Sequence, residues 1–151
     1  MDRHGQHRLR TGRFSQTGRL YLLTTVTLNR RPLFGDLMFA RRVIQQMRLS
    51  DQQGRCRSLA WVLMPDHVHW LVELKGGSLA GLMREFKSRS SSALYAAGAA
   101  RTRIWQRGFH DRALRKEEEV KAAARYIVAN PIRAGLVGRV RDYPHWDCVW
   151  I

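Results

Sequence analysis

The 151-residue sequence predicts an α+β fold in which one sheet and its helices follow the order β-α-β-β-α-β, with one additional helix towards the C-terminus. Three observations predict it. Short stretches rich in β-branched and aromatic residues alternate with stretches whose apolar residues recur at helical spacing. Two strand-like stretches, 57–64 and 67–74, are separated only by Pro65-Asp66, which is turn chemistry and implies a hairpin. A hydrophobic content of 44% with five Trp suits a folded core, and the length suits one domain over 1–151.

The elements follow in order. Residues 1–19 hold Arg3, Arg8, Arg10, Arg13 and Arg19 without apolar periodicity. They read either as a solvated tail or as a basic arm along a nucleic-acid backbone. Residues 20–28 form a first strand, ended by Arg30-Arg31-Pro32. Asp36 is placed to cap a helix to about residue 49, with Leu37, Val43, Ile44 and Met47 near one face. After a turn at 51–54 comes the hairpin, then a Lys75-Gly76-Gly77 loop and Ser78 as the next N-cap. The helix at 79–97 buries Leu79, Leu82, Met83, Phe86 and Leu94 and turns Arg84, Lys87, Ser88 and Arg89 the other way. A fourth strand is expected over 104–114, bent near Gly108. This is the ferredoxin-like order. Residues 117–130 make the last helix, opened by Glu117, Glu118 and Glu119, where the dipole favours negative charge.

Charge narrows the partner. Lys and Arg total 27 against 12 acidic residues, a net +15, and Arg predominates. That imbalance fits a polyanion, with nucleic acid leading. No apolar run reaches membrane-spanning length, no secretory leader is visible at the N-terminus, and Cys56 and Cys148 lack zinc-site spacing. The expectation is a cytoplasmic protein with two incidental thiols.

The chemistry lies in Met64-Pro65-Asp66-His67-Val68-His69-Trp70. Side chains alternate along a strand, so His67 and His69 share a face and can converge on one metal ion or phosphate. A His-x-His pair is also a common polar strand face, and needs a third group. Tyr126 and Asn130, one helical turn apart, could lie over that face. Each has a plainer reading. Tyr126 could be a boundary tyrosine, and Asn130-Pro131 also reads as the N-cap and first position of a new helical turn, closed by Gly135.

His67-Val68-His69 followed by Tyr126-Ile127-Val128-Ala129-Asn130-Pro131-Ile132-Arg133-Ala134-Gly135-Leu136 resembles the HUH single-tyrosine transposases. The likeness extends to Gly12-Arg13, the 61–69 stretch, Phe86-Lys87-Ser88 and Trp105-Gln106-Arg107-Gly108-Phe109, and is strongest to the bacterial REP-associated tyrosine transposases. It implies a ferredoxin-like nuclease whose C-terminal helix carries a nucleophilic tyrosine. It also implies a divalent metal, Mg²⁺ or Mn²⁺, and single-stranded or hairpin DNA as substrate. Carried over by position, His67 and His69 become metal ligands, Tyr126 the nucleophile and Asn130 a candidate third ligand, where insertion-sequence relatives often have Gln. A mixed shell of two His and an amide oxygen suits Mn²⁺ over Mg²⁺ on ligand preference.

A phenol ionising near ~10 needs such help at neutral pH. The expected activity is metal-dependent cleavage and strand transfer through a 5′-phosphotyrosine, with no small-molecule cofactor. Arg8, Arg10, Arg13, Lys87, Arg89 and Arg133 are expected to grip the DNA, and the protein to act as monomer or homodimer near the nucleoid. Two alternatives stand beside it: a hairpin-binding protein that does not cut, and a basic RNA-binding domain whose histidines are incidental.

Overall fold

The computed structural model describes residues 15–150. Its strands are β1 (Leu20–Val26), β2 (Cys56–Met64), β3 (His67–Leu74), β4 (His110–Leu114) and β5 (Trp146–Cys148). Its helices are α1 (Leu37–Gln52), α2 (Leu79–Ala96) and α3 (Glu117–Arg133). The strands pair antiparallel in the order β4-β1-β3-β2-β5, which makes this an α+β fold with one five-stranded sheet and three helices. Among the described residues no helix is long and apolar enough to cross a membrane.

Local chemistry sets the helix starts. Asp36 Oδ1 accepts from the backbone N–H of Met38 and Phe39 at the start of α1, a contact worth about 1 kcal/mol in similar caps. Ser78 Oγ accepts from Gly81 N–H at the start of α2. At α3, Glu119 Oε1 turns back to accept from the backbone N–H of Arg115 (2.8 Å) and Lys116 (3.0 Å).

Alternation along the strands then fills both sheet faces. Leu23, Leu63, Val68, Trp70 and Val72 pack on one side with Met47, Leu82 and Phe86 of α1 and α2. Val62, Met64 and Leu71 pack on the other with Val120, Ala124 and Ile127 of α3. Trp61 and Trp70 are core residues, and Trp70 Nε1 finds Ser58 Oγ at 2.8 Å. Cys56 and Cys148 are buried free thiols; burial first, then the Asp51 charge, pushes Cys56 up to about 12.

Three expectations need correction. The fourth strand begins at His110, not 104; the segment before it is a loop with one bridge, Thr27 to Trp105. Its apolar residues serve the core instead of a ladder: Trp105 lies 5.5 Å from Phe86 and 5.4 Å from Phe34 between ring centroids, and its Nε1 donates to Ser90 Oγ. Asn130 caps no new turn, because α3 runs through Pro131 to Arg133. Proline removes one intrahelical bond, but only two helical residues follow it. A fifth strand absent from the expected order, β5, runs along β2 over Trp146–Cys148.

Candidate active site

His67 and His69 face α3. In the ladders His69 lies opposite Thr24 of β1 and Val62 of β2, while His67 lies opposite Val26 and Met64. Their ring centroids are 4.8 Å apart, set nearly edge to face. From α3, Tyr126 meets His69 at 5.5 Å. Two histidines on a strand and a tyrosine on a helix thus form one contiguous group, as the sequence led us to expect of these three residues.

Each imidazole is held by its Nδ1. Thr24 Oγ1 lies 2.8 Å from Nδ1 of His69, and Asp66 Oδ1 lies 2.7 Å from Nδ1 of His67. That leaves Nε2 as the nitrogen each ring can offer a ligand, the arrangement in which an outer partner orients a metal-binding histidine. Partial burial opposes ionisation of Asp66, but the His67 contact and the Arg30 guanidinium at 3.2 Å hold its carboxyl below the usual value. Arg30 reaches it from a strained turn, with Asn29 and Arg30 both left-handed at φ 59° and 51°. Such conformations cost of the order of 1–3 kcal/mol each, and they concentrate at functional sites. The turn is pinned to the hairpin by Thr27 N–H donating to the Asp66 carbonyl at 2.9 Å.

Burial, then the charges of His67 and Arg133, pushes His69 down to about 3, so it is a neutral, ligand-ready imidazole at physiological pH. A stability consequence follows. The unfolded chain takes up a proton at this histidine near the ordinary 6.5, whereas the folded chain does not until about 3. Stability is therefore expected to fall as pH drops through that window. Urea midpoints compared between wild type and His69→Gln should show a weaker pH slope in the variant.

Asn130 is buried, and its Nδ2 has no hydrogen-bond partner among the described residues. The unpartnered group is a donor, which an oxygen of a bound ligand could satisfy; a cation would need the amide oxygen instead. Among the described residues no set of three His, Cys, Asp or Glu side chains is placed to hold a metal. Two imidazoles, each with Nδ1 already engaged, make a thin donor set, which fits an ion that must also take substrate oxygens.

The expected DNA-gripping residues fare differently. Arg8, Arg10 and Arg13 lie outside the described residues. Lys87 and Arg89 are tied into the fold in place of the open face expected of them. Lys87 Nζ donates to the carbonyls of Gln106 (2.8 Å) and Gly108, and burial, then nearby Arg103, pushes it down to about 8. Arg89 donates to Gln53 Oε1 at 2.7 Å and pairs with Glu85. The loop Lys87 holds forms one wall of a cleft of about 700 Å³ with α2. Arg84, Arg103 and Arg107 also line it, and among the described residues no acidic side chain does. Arg133 stacks on Tyr126, its Cζ 3.9 Å from the ring centroid.

Sequence reasoning missed Thr24, Asp66 and Arg30 as neighbours of the histidines. Asp66 had a signal, since it adjoins His67, but it read only as a turn residue. Thr24 had none, because only the β1–β3 register brings it to His69.

Comparison with known proteins identifies relatives of this chain. The family described as "Transposase IS200 like" matches residues 16–130. The REP-associated tyrosine transposase of Escherichia coli (strain K12) is 32% identical over 87 residues, 56% of this chain and 50% of that protein. The chain spans about half the length of the curated relatives it matches. The structure of a REP-associated tyrosine transposase bound to a REP hairpin superposes with a TM-score of 0.72 at 26% identity, covering 91% of this chain and 81% of that one. A Deinococcus radiodurans crystal structure, 19% identical, shares the fold at a TM-score of 0.56 over 81% of this chain and 97% of its own. With most of its length matched, the site-bearing hairpin included, this chain belongs to the IS200-like transposase family.

Proposed function

We propose that this protein is a metal-dependent single-stranded DNA endonuclease and strand transferase that acts on REP-type hairpins, with Tyr126 as nucleophile. The observation that carries the reading is the meeting of His67, His69 and Tyr126 rings within one chain. Family membership and the hairpin-bound relative support the DNA substrate. The β4-β1-β3-β2 part of the sheet is read as ferredoxin-like, with α3 and β5 appended.

The phenol oxygen of Tyr126 attacks the scissile phosphorus in line with the departing 3′ oxygen. One P–O bond forms to tyrosine and the P–O3′ bond breaks. The phenol gives up its proton and the 3′ oxygen gains one, leaving a 5′-phosphotyrosine and a free 3′-hydroxyl. A second 3′-hydroxyl reverses the step without ATP, because the ester bond is conserved. A divalent ion, Mg²⁺ or Mn²⁺, held by His67, His69 and Asn130 would neutralise the phosphate and polarise its P–O bond.

Thr24 and Asp66 fix the imidazole orientations, so the ligands need no reorganisation when substrate arrives. Asp66→Asn is expected to weaken Mn²⁺ affinity by about 10–100-fold with the fold intact, read by calorimetric titration. The arginine arm, the basic cleft beside α2 and Arg133 would hold hairpin and flank through phosphate contacts. Tyr126 reaches His69 of its own chain, so a monomer suffices, though a homodimer is compatible. The setting would be the bacterial nucleoid.

The test is a labelled single-stranded REP-like hairpin incubated with Mn²⁺ or Mg²⁺ and run on a denaturing gel. A metal-dependent protein–DNA adduct is expected. Tight hairpin binding without an adduct would instead identify a non-cutting binder, and indifference to the hairpin would favour RNA binding.

A further inference from the structure

Tyr126 stands on the outer side of α3 with 46% of its surface exposed, a position where a tyrosine ring ordinarily swings between rotamers. Here it is confined from two sides. The His69 ring meets it edge-on at 5.5 Å and 71°. The Arg133 guanidinium lies over its face at 3.9 Å, and Arg133 Nη2 donates to the Tyr126 carbonyl at 2.9 Å. Long helical side chains lean towards the N-terminus, which lets Arg133 reach back two turns. A planar guanidinium can lie flat on a ring while donating from its edge, which an ammonium cannot do.

We infer that Arg133 is the positioning residue of the nucleophile: it clamps the Tyr126 ring, through the stack and the carbonyl bond together, in the orientation from which the phenol attacks. The inference rests on Tyr126 being the nucleophile. It differs from the simpler role of a phosphate-gripping arginine, in which charge alone matters. Only one of the five guanidinium N–H groups is used by the carbonyl bond, so a phosphate contact is compatible with the clamp. The clamp nevertheless sets the rate, while phosphate contact sets affinity. Small errors in the attack geometry are costly in rate, about 100-fold for a displacement near 1 Å.

Arg133→Lys and Arg133→Gln separate the two roles. Adduct formation is followed in single turnover on a labelled single-stranded hairpin, with protein in saturating excess, and hairpin affinity is measured separately. The expected result is a rate lowered by about 10–100-fold in both variants even at saturation, while Arg133→Lys keeps hairpin affinity within about twofold of wild type. The Tyr126 ring resonances, in protein selectively labelled at tyrosine and free of DNA and metal, should shift in both variants. Full recovery of the rate by Lys, or disappearance of the Gln defect at saturation with the tyrosine resonances unmoved, would overturn the inference. Tyr126→Phe run alongside keeps the two readings apart. Loss of the adduct in Phe with a wild-type rate in Lys and Gln removes only the clamp, whereas an adduct surviving in Phe removes the nucleophile itself.

Discussion

Tyr126→Phe is expected to abolish covalent capture of DNA, lowering adduct formation by ~10⁴-fold or more, the scale on which covalent enzymes lose rate with their nucleophile. The substitution deletes one oxygen and little else. The ring that meets His69 at 5.5 Å and carries Arg133 at 3.9 Å remains, so both packing contacts survive. Hairpin affinity should therefore change by less than about twofold, and thermal stability should stay near wild type because the hydroxyl sits at an exposed position. A gel-shift titration beside the denaturing gel checks both halves of the expectation. Equal losses of binding and capture would mean that Tyr126 contacts DNA without attacking it.

Replacing either histidine by alanine is expected to remove metal-dependent capture, but the two variants should differ in stability. Each deletes one of the two imidazole donors proposed to hold the metal, so Mn²⁺ affinity should drop by ~100-fold or more, beyond the 10–100-fold typical of outer partners. His69 is bonded to Thr24, so His69→Ala strands that hydroxyl, at a cost of about 1–3 kcal/mol. His67 has an accessible edge, and Asp66 keeps its Arg30 partner when His67 is gone. His67→Ala should therefore stay close to wild type in a urea melt while losing metal. Calorimetric titration with Mn²⁺ and the melts together resolve the two effects.

What could be read from the sequence was chemistry that acts over a few residues. Asp36 and Ser78 cap the helices they were expected to cap, because a side-chain oxygen three residues from a backbone N–H needs nothing from the rest of the fold. The alternation that puts His67 and His69 on one face is a property of any strand, and the Pro65-Asp66 turn fixes where β3 begins. The acidic first turn of α3 is equally local.

What could not be read depends on distant partners. Residues 104–109 look like a strand by composition, yet their apolar side chains are taken up by Phe34 and Phe86 and their carbonyls by Lys87. Lys87 itself looked like a surface cation for the same reason. Strand β5 has three residues, too few for an alternating pattern to stand out. Asn130-Pro131 carries a boundary signal, yet α3 continues through it with Val128, Asn130 and Pro131 buried. The Thr24–His69 and Arg133–Tyr126 contacts arise from register and side-chain reach, which composition does not encode.

The most direct measurement is the mass of the covalent product. The wild-type protein is incubated with a REP-like single-stranded hairpin and Mn²⁺, the DNA is digested to a nucleotide remnant, and the proteolysed protein is mapped by tandem mass spectrometry. The expected product carries a nucleotide-phosphate modification on the phenol oxygen of Tyr126, attached through a 5′-phosphate. A modification on another residue, or cleaved DNA with every tyrosine unmodified, would contradict it.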